Sequence, residues 1–255
     1  MLAVPHRNIR MDIHGQGELE IYGALDAGTT IVFCGRDDFR RDDEFLCRLI
    51  GYFTRQGFRV VQYLSRADLN FRRTNPPWMQ RVPKPFRSFL KLLILLVHPF
   101  QWGHLSPSHR ARAKSLEYRL QSLQELVPLL GESKVVLAGR SSGARLASLA
   151  ADLPGVEKVV CMGYPFQHPA IGPDPARVRH LATVKSPVLV LQGRKDPYGG
   201  EGIEDCNELS PSIQIQFLDT DHSFHFEDEE WLRLLRLLDQ FVGSQQDSGR
   251  AVQVS

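Results

Sequence analysis

A serine flanked by glycines, Gly139-Arg140-Ser141-Ser142-Gly143, directly follows the apolar run Lys134-Val135-Val136-Leu137-Ala138. It directly precedes the Ala/Leu-rich segment Ala144-Arg145-Leu146-Ala147-Ser148-Leu149-Ala150. Strand, tight turn and helix in that order are the context in which a Gly-x-Ser-x-Gly serine is held out on a strained turn as a nucleophile. The chemistry needs small neighbours, because a side chain at either glycine position would crowd the turn. The helix then begins beside the serine, and its free N–H groups and positive dipole end lie where an oxyanion would form. Ser142 competes as a hydroxyl, but only Ser141 holds the central position. The backbone N–H of Ser142 is instead expected to be one oxyanion donor.

A nucleophilic serine needs a general base, and the base needs a carboxylate to orient it. With an elbow of this kind the chain order is serine, then acid, then histidine. The apolar run Val188-Leu189-Val190-Leu191 leads through Gln192-Gly193-Arg194-Lys195 to Asp196. The run Ile213-Gln214-Ile215-Gln216-Phe217-Leu218 leads through Asp219-Thr220-Asp221 to His222. Each therefore falls just past the carboxyl end of a strand, where ligand sites of open parallel sheets gather. Other roles stay open for these residues. Asp196 stands before a proline, as turn residues often do. His225 is a competing base, and His222 is taken because it comes first after its strand. Asp221 is expected to shape the loop. His222-x-x-His225 has the spacing of a metal pair, but no third ligand cluster accompanies it, and no metal or cofactor is expected. A second oxyanion donor should come from the loop after Ile31-Val32-Phe33-Cys34, with Gly35 letting the backbone approach a substrate and the N–H of Arg36 donating.

The elements that would position these residues are legible as two periods. Ile9, Met11 and Ile13, a Gly15-Gln16-Gly17 turn, then Leu19, Ile21 and Gly23 read as an antiparallel hairpin. Short continuous apolar runs follow at Thr30–Cys34, Arg59–Tyr63, Lys134–Ala138, Lys158–Met162 and Val188–Leu191, as expected of strands buried on both faces. The run Ile213–Leu218 alternates, as a strand nearer an edge would. Between the runs lie stripes of helical period: Phe45, Leu46, Leu49, Ile50 and Phe53; Leu116, Leu120, Leu123, Leu126 and Val127; Trp231, Leu234, Leu235, Leu238 and Phe241. Strands alternating with helices predict an α/β domain, with about eight strands in a mostly parallel sheet and helices on both faces.

The chain has 255 residues, 42% hydrophobic and 24% charged, with a net charge of +2. That fits one sizeable domain over residues 1–242, with a small, polar tail over 243–255 that is expected to be disordered. Neither composition nor charge asks for a nucleic-acid partner. Cys34, Cys47, Cys161 and Cys206 show no paired spacing and read as reduced thiols. The first residues hold no apolar segment of signal-peptide length, so a cytoplasmic setting is expected.

One segment breaks the alternation. From about residue 68 to 114, Arg72, Arg73, Arg81, Lys84, Arg87, Lys91, Arg110 and Arg112 face the single acid Asp68, around the apolar stretch Phe89–Val97. A stretch of about nine residues is too short to span a bilayer. The segment reads as a basic, leucine-rich cap over the sheet. A lid that meets lipid or long acyl chains is the sharper reading of it.

Gly139-Arg140-Ser141-Ser142-Gly143-Ala144-Arg145, followed by Cys161-Met162-Gly163-Tyr164-Pro165-Phe166-Gln167-His168-Pro169, resembles the α/β-hydrolase superfamily over roughly residues 8–242. Within it, these motifs resemble the dienelactone-hydrolase-like branch that includes the testis-expressed and NSL-complex hydrolase-like proteins. The resemblance implies a three-layer α/β/α sandwich and carries a catalytic triad onto Ser141, Asp196 and His222. It puts the Tyr164–Pro169 run near the site, with Tyr164 and His168 as candidate substrate contacts. Members commonly have His-Gly where this chain has Cys34-Gly35, and the basic insertion is longer than expected for that branch. The expected activity is cofactor-independent hydrolysis of a small-molecule carboxylic ester or thioester through an acyl-enzyme. The alternative is a non-catalytic, hydrolase-like binding or scaffold subunit.

Overall fold

A computed structural model of the chain describes residues 9–13, 17–34, 44–65, 79, 81–97 and 115–243. The hairpin forms as β1 (Ile9–Ile13) and β2 (Gly17–Tyr22), with Ile9 opposite Ile21 and Ile13 opposite Gly17. There follow β3 (Thr29–Cys34), α1 (Glu44–Arg55), β4 (Arg59–Ser65), α2 (Lys84–Val97), α3 (Leu116–Leu129) and β5 (Lys134–Arg140). The chain continues through α4 (Ser142–Leu149), β6 (Val156–Met162), β7 (Val188–Gly193), β8 (Ile213–Leu218) and α5 (Asp228–Val242).

The eight strands form one sheet in the order β1-β2-β4-β3-β5-β6-β7-β8. β1 and β2 run antiparallel, β2 meets β4 antiparallel, and all remaining neighbours are parallel. The alternating strand Ile213–Leu218 is an edge, and its pattern reflects a face shared with solvent. The continuous runs sit inside the sheet because both of their faces are covered. On β5, Val135 and Leu137 pack with Leu123, Leu126 and Val127 of α3 and with Ala144 and Ala147 of α4. Val136 and Ala138 face the other way, into Phe45, Leu49 and Phe53 of α1 and Trp231, Leu234 and Leu238 of α5. Two apolar cores separated by a twisted sheet make the three layers, and each buried large aliphatic side chain contributes about 1.5–3 kcal/mol relative to exposure.

Cys34, Gly139 and Cys161 lie side by side in register across β3, β5 and β6. Both thiols are buried, and burial pushes Cys34 up to about 12, with Arg119 opposing. Burial, together with the neighbouring Cys34, pushes Cys161 up as well. These are inert packing groups under the elbow.

Of the basic insertion, Met79 and residues 81–97 are described. Its apolar stretch belongs to the longer helix α2, which begins at Lys84. Phe86, Phe89, Leu92 and Leu93 of α2 are exposed, with Phe86 at 61% and Phe89 at 59%. Among the described residues no helix is long and apolar enough to cross a membrane.

Candidate active site

β5 continues two residues beyond its apolar run and ends at Arg140, and α4 begins at Ser142. Ser141 makes the turn between them at φ 51° and ψ −117°, a conformation that L-residues adopt at a cost of about 1–3 kcal/mol. The surroundings hold it there. Its N–H donates to the Met162 carbonyl at 2.9 Å, and its own carbonyl accepts from Ala144 N at 3.0 Å. Gly139 is required by space: a Cβ there would stand 2.3 Å from the backbone carbon and oxygen of Gly143. Gly139 thus lets the strand approach the helix closely at Gly143. Ser142 is the first helical residue, so its N–H has no intrahelical acceptor and is available beside Ser141.

The loops after β7 and β8 converge on that serine. Gly193 ends β7, and a Cβ there would lie 2.6 Å from the Thr220 carbonyl oxygen and 2.9 Å from that of Asp221. Glycine at this point lets the two loops touch, which brings Asp196 and His222 together. In the neutral tautomer that carries its proton on Nδ1, His222 donates to Asp196 Oδ2 at 2.9 Å. Its Nε2 then accepts from the Ser141 hydroxyl at 3.0 Å. The Asp196 carboxylate is completely buried, which would be costly for a charge without partners. It has three: Oδ2 also accepts from Gln192 Nε2 at 3.0 Å, and Oδ1 accepts from Tyr198 N at 2.8 Å.

Gln192, Tyr198, Gly163 and Arg140 complete the site, although the sequence alone gives none of them a role. Gln192 is fully buried on β7; besides Asp196 it donates to the Tyr164 carbonyl and accepts from Tyr164 N at 2.8 Å. The Tyr198 ring stacks on the imidazole with centroids 4.3 Å apart. Gly163 has φ 57°, and a Cβ on it would come 2.9 Å from Phe224 Cε2, 3.4 Å from His222 Nδ1 and 3.5 Å from Asp196 Oδ2. Arg140 donates to the carbonyls of His222 and Ser223. The local signals are a glutamine closing an apolar run, a glycine inside the Cys161–Pro169 motif, an arginine inside the Gly-x-Ser-x-Gly motif and an aromatic two residues past Asp196.

The other candidates fall as follows. Tyr164 has no exposed surface, and its hydroxyl donates to the Arg177 carbonyl at 2.6 Å. What it brings to the site is its backbone, through Gln192; its ring offers nothing to a substrate. His168 ends a two-residue strand, Gln167–His168, that pairs with Gly172–Pro173, and its Nδ1 accepts from Ala170 N at 3.2 Å, the geometry of a loop histidine. His225 is exposed, and its carbonyl accepts from the Thr220 hydroxyl. Asp221 Oδ1 accepts from Ser223 N and shapes the turn. Gly35 and Arg36 lie outside the described residues. No group of three or more His, Cys, Asp or Glu side chains among the described residues could hold a metal ion.

A serine, an imidazole and a buried carboxylate linked in this order can move a proton from hydroxyl to ring while the carboxylate fixes the ring's tautomer. A family model described as an alpha/beta hydrolase domain matches residues 97–244. No curated protein matches the chain in sequence. Among solved structures, an alpha/beta hydrolase enzyme from the metagenome of lagoon sediments at Mar Chica, Morocco, is similar with a TM-score of 0.55 and 17% identity, over 91% of this chain and 98% of that one. The thioesterase domain from the curacin biosynthetic pathway gives 0.57 and 11%, over 90% and 98%. An esterase from Pyrococcus furiosus gives 0.55 and 12%, over 93% and 91%. At these identities the likeness is one of fold.

Proposed function

Because the chain belongs to the alpha/beta hydrolase domain family, we propose that it is a serine hydrolase of carboxylic esters or thioesters, with Ser141 as nucleophile, His222 as base and Asp196 as the orienting acid. The observation that carries this reading is the hydrogen-bonded series Ser141 Oγ, His222, Asp196, at 3.0 and 2.9 Å. Esterase and thioesterase structures among its fold relatives support the substrate class.

In the reaction, His222 Nε2 takes the hydroxyl proton as Ser141 Oγ bonds to the substrate's carbonyl carbon, and the carbonyl π pair moves onto oxygen. The Ser142 N–H stabilises that oxyanion; the N–H of Arg36 is the proposed second donor. The protonated imidazole gives its proton to the departing alcohol or thiol as the C–O or C–S bond breaks. Water, deprotonated by His222, then attacks the acyl-enzyme, and collapse of the second tetrahedral intermediate returns the proton to Ser141. Asp196 holds the ring throughout.

Within the family, the Gly139–Arg145 and Cys161–Pro169 motifs support the dienelactone-hydrolase-like branch. We take residues 1–242 as one hydrolase domain with the insertion at about 68–114, and the four free cysteines fit a reducing, cytoplasmic setting. The exposed aromatic and leucine side chains of α2, on a helix that carries Lys84, Arg87 and Lys91 and no acid, favour contact with anionic lipid or a long acyl chain. Replacing Phe89 and Leu92 by aspartate should lower co-sedimentation with phosphatidylserine vesicles; unchanged binding sinks that contact.

A fluorophosphonate probe tests the central proposal. Labelling should occur in the folded protein and vanish in Ser141→Ala, while hydrolysis of p-nitrophenyl esters falls by about 10⁴-fold or more. Folded protein that shows no Ser141-dependent labelling would instead favour a non-catalytic binding or scaffold subunit.

A further inference from the structure

We propose that Arg140, the residue between Gly139 and the serine, is a positioning residue that sets where His222 stands; the inference rests on the hydrolase reading above. The alternation of β5 sends the Arg140 side chain to the same face as Val136 and Ala138, the face filled by α1 and by Phe224. There its guanidinium carbon lies 5.7 Å from the Phe45 ring centroid and 5.9 Å from that of Phe224. Both distances are within cation–π range. From this seat Nη2 donates to the Ser223 carbonyl at 3.0 Å and to the His222 carbonyl at 3.3 Å.

Two successive carbonyls of the loop that bears the base therefore converge on one nitrogen. That nitrogen belongs to the residue next to the nucleophile. The connections close a ring: Ser141 Oγ to the imidazole, the imidazole to its own backbone, that backbone to Arg140, and Arg140 through one peptide bond back to Ser141. Asp196 and Tyr198 hold the imidazole itself. Only Arg140, among the contacts described, ties the carbonyls of His222 and Ser223 to the strand that carries the serine.

The loop needs such a tie. Phe224, two residues past the base, has φ 56° and is buried, so the turn is bent into a conformation that a bulky residue adopts only when its surroundings enforce it. A guanidinium suits the place because it lies flat against aromatic rings while its edge donates; an ammonium offers a point charge without that plane. Losing the tie frees the carbonyls to turn to water and lets the imidazole drift from Ser141. A misplacement of about 1 Å is enough to cost on the order of a hundredfold in rate.

Arg140→Met keeps length and apolar contact and removes every donor. It should reduce the Ser141-dependent fluorophosphonate labelling rate by about tenfold to a hundredfold. On a p-nitrophenyl ester the loss should fall in kcat, with KM held. In proton NMR, the strongly downfield signal of the His222 Nδ1–H, identified by its absence in His222→Gln, should broaden or disappear. Arg140→Ala should regain labelling on addition of methylguanidinium, which should do nothing for His222→Ala; Arg140→Lys should fall between wild type and Arg140→Met. Labelling rate and downfield signal equal to wild type in Arg140→Met would overturn the proposal. If wild-type protein does not label at all, the hydrolase reading fails by itself. The NMR signal still judges Arg140, since its persistence in Arg140→Met would show that the guanidinium does not place the ring.

Discussion

Replacing Gly163 by alanine tests whether close packing, and not only hydrogen bonding, holds the base and the acid in place. The residue follows β6 directly, at φ 57°. An alanine held in that left-handed region costs about 1–2 kcal/mol. Space adds a second term. The new methyl would stand 2.9 Å from Phe224 Cε2, inside the contact distance of two carbons, and Phe224 is itself buried and cannot withdraw into solvent. Overpacking of this kind costs about 1–3 kcal/mol. The combined loss is then about 2–5 kcal/mol, which in a domain of this size lowers the melting temperature by roughly 2–4 °C per kcal/mol.

The position of the methyl also predicts a functional loss, because at 3.4 Å from His222 Nδ1 and 3.5 Å from Asp196 Oδ2 it presses on the pair that must stay aligned. Gly131→Ala is the control: it has φ 76° and nothing within 4 Å of the added carbon, so it carries the backbone term alone. Thermal melts and fluorophosphonate labelling of the two variants separate the terms. Gly163→Ala should melt lower than Gly131→Ala and label about tenfold slower or worse. Equal melting and wild-type labelling in both would refute the packing argument.

Other outcomes follow from the same contacts. Gln192→Leu leaves Tyr164 N–H buried without its acceptor and takes a donor from Asp196, so urea unfolding should show a loss of about 1–3 kcal/mol together with slower labelling; unchanged values in both would assign the glutamine no supporting role. His180, 2.8 Å from the Ser148 hydroxyl, is pulled down to about 4 by burial, with repulsion from Arg145 adding to it. The unfolded chain therefore binds that proton first. Its contribution to stability is unaffected above the ordinary value of 6.5, is lost as pH falls from there toward about 4, and is constant below. Denaturant melts at about pH 7 and about pH 4.5 should show a larger acid loss for wild type than for His180→Gln. Native protein treated with a thiol-exchange dye should react quickly at the exposed Cys206, whereas Cys34 and Cys161 should react only on unfolding, since both are buried and burial disfavours their thiolates.

Much of the frame is written locally. The continuous apolar runs of β3, β5, β6 and β7 and the helical stripes of α1, α3 and α5 mark buried strands and half-buried helices, because burial on two faces or one leaves its own period in the chain. The hairpin and the edge position of β8 are readable for the same reason. Gly139, Ser141 and Gly143 are neighbours, so the elbow is a property of five consecutive residues, and the strand ends nominate Asp196 and His222.

Distances across the sheet are another matter. That His222 and not His225 reaches Ser141 depends on how the loop after β8 is bent, and the bend is enforced by Phe224 seated in the core and by Arg140 from a strand more than eighty residues earlier. Tyr164 stands inside the Cys161–Pro169 motif, yet its ring is buried in the core beside Phe166, with its hydroxyl on the Arg177 carbonyl and not in open space. Gln192 gives no sign in sequence of serving Asp196; only the turn at Gly193 folds the two together. Backbone preference and hydrophobic period act over a few residues and therefore survive in the sequence alone. The order serine, acid and histidine was fixed by the chain itself, while the 2.9 and 3.0 Å contacts that link them arise from strand register and packed side chains brought together from far apart.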